Sequence, residues 1–139
     1  MQKFSKNQID EFINILDFSK LEGNLIPVII QDFKSNKILM LAFANKEAIR
    51  KSLETGYAHF YSRSRKKLWK KGETSGHFQE IQQIIIDCDK DSLLLKVKQI
   101  GATCHEGYDS CFYNEYINGR IKIIGKKIFN PEDVYKKKI

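Results

Sequence analysis

Apolar residues in this chain come in short blocks, each about the length of a β-strand and each stopped by polar residues. Leu25 to Phe33 is apolar and β-branched, Lys34-Ser35-Asn36-Lys37 interrupts it, and Ile38 to Phe43 resumes. That order predicts a hairpin. Ile81 to Ile86 and Leu93 to Ile100 predict a second strand pair around an acidic turn. Phe112 to Ile124 predicts a third, turning at Asn118-Gly119, a strong signal for a two-residue hairpin loop. Tyr57 to Ser62 adds a further strand. No block approaches the roughly 20 apolar residues that cross a bilayer, so no membrane partner is expected.

Two segments carry helical spacing instead. Phe4, Ile9, Phe12, Ile13 and Leu16 recur on one helical face, and Ser5 followed by Gln8 reads as a capping box. A helix over residues 5 to 17 is predicted. Asn45 can cap a second helix running through Leu53, with Gly56 just past its end. Residues Arg63 to His77 are polar, basic and contain two glycines, which predicts one long functional loop. The expected fold is α+β, with short, mostly antiparallel strands and two helices, in a single domain over residues 1–139.

Twenty-four Lys and Arg against seventeen Asp and Glu give a formal charge of +7. The excess suits a polyanionic partner, a phosphorylated small molecule or simple solubility. Lys136, Lys137 and Lys138 supply part of it and read as a solvated tail. Residues Met1 to Asp17 lack an apolar signal core and carry Asp10, Glu11 and Asp17, so a cytoplasmic location is expected. Three cysteines cannot all pair in one chain. In a reducing compartment they point to burial, redox chemistry or metal.

Four groups could do chemistry. Asp87, Asp89 and Asp91 repel one another unless a cation sits among them, and oxygen ligands of this kind suit Mg²⁺. If the strand runs on to Asp89, Asp87 and Asp89 share one face and a turn brings Asp91 round. The alternative is a solvated acidic turn. Cys88, Cys104 and Cys111 are one short of a closed zinc site, and three ligands plus water is the catalytic arrangement. Their spacing is equally compatible with unrelated thiols. His77 and His105 are the acid–base candidates, or else a fourth zinc ligand or structural hydrogen-bonding groups, whereas His59 lies in an apolar strand and reads as packing. Arg63, Arg65 and Lys71, with Lys66, Lys67 and Lys70, surround Trp69. Arginine forks match phosphate oxygens and the indole offers a stacking face. The same composition describes a single-strand nucleic-acid surface or a solvated loop.

Taken together, these stretches resemble the phosphoribosyl-AMP cyclohydrolase family. The resemblance rests on Ser62-Arg63-Ser64-Arg65, on Leu68 through His77, on Asp87-Cys88-Asp89-Lys90-Asp91, on Cys104-His105 and on Ser110-Cys111-Phe112-Tyr113. It also covers Leu39-Met40-Leu41-Ala42-Phe43 and runs from about residue 25 to 116. Several long motifs in the right order make it specific.

The resemblance implies a hydrolase of histidine biosynthesis that opens the N1–C6 bond of the adenine ring in N1-(5-phosphoribosyl)-AMP. It implies zinc on Cys88, Cys104 and Cys111, magnesium on Asp87, Asp89 and Asp91, and an intertwined homodimer whose zinc ligands come from both subunits. Catalysis would fall to His105 or His77, and substrate binding to Arg63, Arg65, Trp69 and Lys71. Nucleic acid would not be a partner. The sequence departs from the family pattern at Thr103, Glu106 and Lys90, where a smaller residue, Thr and Gly are usual. None of these removes a proposed ligand. Some relatives carry a fused phosphoribosyl-ATP hydrolase domain, which this chain is expected to lack. The rival readings are a basic zinc module that binds nucleic acid and a structural zinc dimer without turnover.

Overall fold

The fold, seen in a computed structural model that describes residues 3–132, begins with the capping box. Ser5 Oγ accepts the Gln8 amide at 3.2 Å while Gln8 Oε1 accepts the Ser5 amide at 2.9 Å. Two otherwise orphaned donors are satisfied, and α1 (Lys6–Ile15) starts there. It buries Ile9 and Ile13. The strands β1 (Ile26–Asp32) and β2 (Ile38–Ala44) form the expected hairpin. Asn36 takes a positive φ of 63° in its turn. Asn45 then caps α2 (Lys46–Thr55) by accepting the Ala48 amide at 2.8 Å, and Gly56 ends it in the left-handed region.

Residues Arg63 to His77 are not one loop. After β3 (His59–Ser62), the chain turns at Lys66 and returns as β4 (Lys67–Lys70), pairing Phe60 with Trp69 and Tyr61 with Leu68. Between Arg63 and Phe78, the Arg63–Lys66 turn and the stretch from Lys71 to Phe78 lack helix and strand. Lysines at both ends of β4 mask the apolar pair Leu68 and Trp69, which pack against the core.

The second hairpin is β5 (Gln79–Ile86) and β6 (Leu93–Gln99). Strand β5 stops at Ile86, so Asp87 and Asp89 do not share a strand face as expected. They lie in a turn that Lys90 closes with a φ of 63°. A last ribbon, β7 (Asn114–Ile117) and β8 (Arg120–Ile123), turns at Asn118 and Gly119, both at positive φ. Such a turn matches the twist of the strands it joins.

The main sheet has the order β2-β1-β6-β5. Both hairpins are antiparallel, but β1 and β6 join them in parallel, so the mostly antiparallel α+β expectation holds with one exception. One row across the sheet is Met40, Ile30, Leu95 and Ile84, facing the core with α1, α2 and Phe60. The neighbouring row, Leu41, Ile29, Leu94 and Ile85, faces away. Leu41 is 50% exposed and Ile29 40% exposed. Among the described residues no helix is long and apolar enough to cross a membrane. The tail Lys136 to Lys138 lies outside the described residues.

Phe60 is fully buried, with its ring 5.2 Å from that of Trp69. Phe60→Ala should cost about 3–5 kcal/mol through the lost contacts and the cavity left behind. Urea unfolding should show a lower midpoint at unchanged slope.

Candidate active site

The β3–β4 hairpin and the loop that follows it form one wall of a cleft of about 450 Å³. Ser62, Ser64, Arg65, Trp69, Lys71 and the Gly72–Ser75 stretch line it, and His105 closes the other side. Trp69 is held in place by its edge packing on Phe60. Gly72 is required at the root of the loop, because a Cβ there would come within 2.6 Å of the His77 carbonyl carbon. Four expected site residues therefore meet here: Arg65, Trp69, Lys71 and His105. The His105 side chain is mostly exposed, and its Nε2 lies 3.1 Å from Glu106 Oε1.

Arg63 does not line this cleft. Its guanidinium carbon sits 3.9 Å over the Phe43 ring, in a shallow groove on the other side of Trp69. His77 also stands apart. Its ring packs edge-on to Phe129 at 4.9 Å, and Gly101 supplies the room it needs. A Cβ on Gly101 would lie 2.5 Å from His77 Cδ2, and its φ of +74° already disfavours a side chain. His59 bears out the packing reading. It is half-buried, its Nδ1 lies 2.8 Å from the Tyr57 carbonyl, and burial lowers its pKa.

Two of the three thiols, Cys104 and Cys111, lie near each other and near the Lys71 ammonium, Cys111 on a residue that is exposed overall although its sulfur is turned inward. Cys104 is buried and its amide donates to the Tyr108 carbonyl, while the Cys111 amide donates to the Leu39 carbonyl at 2.8 Å. Burial pushes the Cys111 thiol up to about 11, and the neighbouring Cys104 adds to the rise. Lys71 opposes both effects. Its ammonium is held by the Thr103 carbonyl, and burial lowers its own pKa against the pull of the two thiols. Lys71 thus faces the sulfur pair as much as the cleft. Cys88 is exposed in the acidic turn, and the three thiols do not gather within one chain.

Asp87, Asp89 and Asp91 do come together, each offering an oxygen within 4.8 Å of the others. Ser92 holds Asp87 well below the usual carboxylate range, its hydroxyl donating at 2.5 Å. Asp91 is pushed the other way, first by Asp89. Lys20 reaches in from 69 residues away and places its ammonium 2.8 Å from Asp89 and 3.1 Å from Asp91. Nothing local in the sequence marks Lys20.

A second missed feature is Gln99. Its Oε1 accepts from Gln79 Nε2 at 2.9 Å and from the Thr103 hydroxyl at 3.2 Å. Its Nε2 donates to the His77 carbonyl at 3.2 Å. One amide thus ties β5, the His77 loop and the approach to Cys104. Isolated glutamines at the end of a strand give no sequence signal for this.

The family model of phosphoribosyl-AMP cyclohydrolase matches residues 40–113, a span that holds the cleft, the thiols and the acidic turn. The chain belongs to the phosphoribosyl-AMP cyclohydrolase family. It is similar to the phosphoribosyl-AMP cyclohydrolase of Methanosarcina acetivorans, with 55% identity over 120 residues, 86% of this chain and 98% of the relative. The enzyme of Methanoregula boonei is 58% identical over 116 residues, 84% of this chain and 92% of the relative. A histidine biosynthesis bifunctional protein of Thermoanaerobacter pseudethanolicus is 54% identical over 123 residues, which is 88% of this chain but 57% of that protein. Membership in the cyclohydrolase family makes the chain a hydrolase.

Because the Lys71 cation lowers the Cys111 pKa, removing it should raise that pKa further. Only the thiolate is nucleophilic. In metal-free Lys71→Met protein, alkylation of Cys111 by iodoacetamide at pH 8 should be several-fold slower than in the wild type. Peptide mapping by mass spectrometry would measure it.

Proposed function

We propose that the chain hydrolyses the N1–C6 bond of the adenine ring in N1-(5-phosphoribosyl)-AMP, giving a formimino-aminoimidazole carboxamide ribotide in the histidine pathway of the cytoplasm. The observation that carries this reading is the cleft. A stacking face on Trp69, cations on Arg65 and Lys71, and an accessible imidazole on His105 converge beside the Cys104–Cys111 pair. A phosphorylated purine needs the first two, and ring opening needs the third.

Two metals fit the donor sets. Cys104 and Cys111 are soft sulfur donors on adjacent segments, and zinc would be held by them together with Cys88 of a partner subunit. The three clustered carboxylates are hard oxygen donors suited to magnesium. Zinc, when bound, supplies a water that ionises near neutral pH. Water adds at C6, the C6–N1 bond breaks, and C6 keeps its amino group as the new carboxamide. N1 leaves with a proton.

His105 is the group placed to carry protons, because it lines the cleft and its Nε2 is oriented by Glu106. His77 is the weaker candidate, since its ring is packed between Gly101 and Phe129. Trp69 stacks on the purine, and Arg65 binds phosphate. Arg63 serves the second phosphate only if it leaves the Phe43 ring. Lys71 steadies negative charge on the sulfur pair.

The outward sheet row supports reading the protein as a homodimer. Leu41, Ile29, Leu94 and Ile85 form an apolar strip that a second copy would cover, and Tyr116, Ile121 and Ile123 of the last ribbon are further exposed apolar residues. The nucleic-acid reading loses support because Arg65, Lys70 and Lys71 line a cleft rather than a flat surface.

Ring opening can be followed by ultraviolet absorbance with zinc- and magnesium-loaded protein. His105→Ala should lower kcat by about 10²–10⁴-fold. Cys104→Ser should lose both zinc and turnover. A folded, fully metallated protein without turnover would overturn the assignment. Leu41→Glu should shift the protein to monomer in sedimentation and release zinc with it. A Leu41→Glu dimer that retains zinc would place the interface elsewhere.

A further inference from the structure

The acidic turn already has a cation in it. Lys20 Nζ lies 2.8 Å from Asp89 Oδ2 and 3.1 Å from Asp91 Oδ2. Its carboxylate partners are two of the three whose oxygens cluster within 4.8 Å. Asp87, the third, is satisfied from within the turn by the Ser92 hydroxyl and by the amides of Asp91 and Ser92. The charge on Asp89 and Asp91 is therefore the part that the turn itself leaves unbalanced.

Lys20 is delivered by the fold and not by chance proximity along the chain. The Asp17 amide donates to the Lys90 carbonyl at 2.7 Å, tying the segment before β1 to the acidic turn. The Asp17 carboxylate is occupied by Ser19, which donates from both its amide and its hydroxyl. It does not draw Lys20 away. Lys20 also lies outside the span matched by the family model.

We propose that Lys20 is a resident counter-ion of the Asp87, Asp89 and Asp91 cluster, and that a divalent cation enters by displacing its ammonium. This rests on the reading of that cluster as the magnesium site. A hard divalent cation takes carboxylate oxygens at about 2.0–2.1 Å. An ammonium held against those same oxygens would face two like charges at contact distance. The Lys20 side chain is half-exposed and can swing into water, where an ammonium is well solvated. Lys20 then does two things. It keeps the carboxylates from repelling one another when the cation is absent, and it sets a threshold that the cation must overcome.

The test uses zinc-loaded protein freed of magnesium by gel filtration, titrated with Mn²⁺, whose free form is read by electron paramagnetic resonance. Lys20→Met keeps the stem and removes the charge. Its Mn²⁺ affinity should be about two- to fivefold higher than wild type, the scale set by exposed ion pairs. Without added cation Lys20→Met should melt below wild type, and saturating Mg²⁺ should close that gap. Equal or weaker Mn²⁺ binding by Lys20→Met would overturn the proposal. So would a melting deficit that persists unchanged in Mg²⁺, which marks Lys20 as merely structural. Asp89→Asn separates the two readings. If it abolishes Mn²⁺ binding, the metal assignment stands whatever Lys20 does. If it binds like wild type, the cation is elsewhere and both readings fall.

Discussion

The parallel ladder between β1 and β6 is the contact on which the rest of the molecule depends. Each hairpin could form locally, but neither could bury a face alone. Joining them in parallel, with Ile29 opposite Leu94 and Ile30 opposite Leu95, makes one sheet with one covered side. A parallel pair also aligns the segments that lead into its strands. The stretch before β1 and the turn before β6 therefore lie at the same end, which is why Lys20 meets Asp89 and Asp91. At the opposite end the Phe33 amide donates to the Val97 carbonyl, and Gln99 gathers the His77 loop and Thr103. The acidic turn and the polar hub thus sit at the two ends of a single strand, β6.

Electrostatics divides the site in a complementary way. Basic side chains crowd the cleft formed by β3, β4 and the loop after them, with Glu73 among them, while three carboxylates cluster in the turn before β6. Three of these cations have a specific neighbour. Arg63 rests on Phe43, Lys70 lies 4.4 Å from the Phe78 ring centroid, and Lys71 meets the Thr103 carbonyl. Of the basic side chains expected to serve substrate, Arg65 lines the cleft, and among the described residues no aromatic ring stacks on its head group. The net charge of +7 therefore overstates what the cleft can offer an incoming phosphate.

Much of this was legible in the sequence where the determining interaction is local. The capping box at Ser5 and Gln8, the Asn45 cap, the Gly56 stop and the Asn118-Gly119 turn all involve residues within a few positions of one another. The clustering of Asp87, Asp89 and Asp91 was legible for the same reason, although the carboxylates converge through a turn and not along a strand face. Strand β4 was missed because Lys67 and Lys70 bracket its two apolar residues, and its pairing with β3 decides the matter. The parallel register, Lys20 in the acidic turn and Arg63 over Phe43 all join distant positions. No local pattern encodes them.

The last ribbon has a different standing from the sheet. Every residue of β7 and β8 is exposed, so the ribbon has no covered side of its own. It is anchored at its base, where Tyr108 stacks on Tyr113 at 3.9 Å and Gly125 leaves room for the Tyr113 side chain. Beyond that base, among the described residues, only its own ladder holds it. Two strands of four residues form a marginal unit in water. The ribbon should open by local fluctuation while the sheet stays closed, and its amide protons should exchange with solvent first. The molecule thus pairs a sheet closed over a core with a slender arm that has little beyond its own ladder to keep it in place.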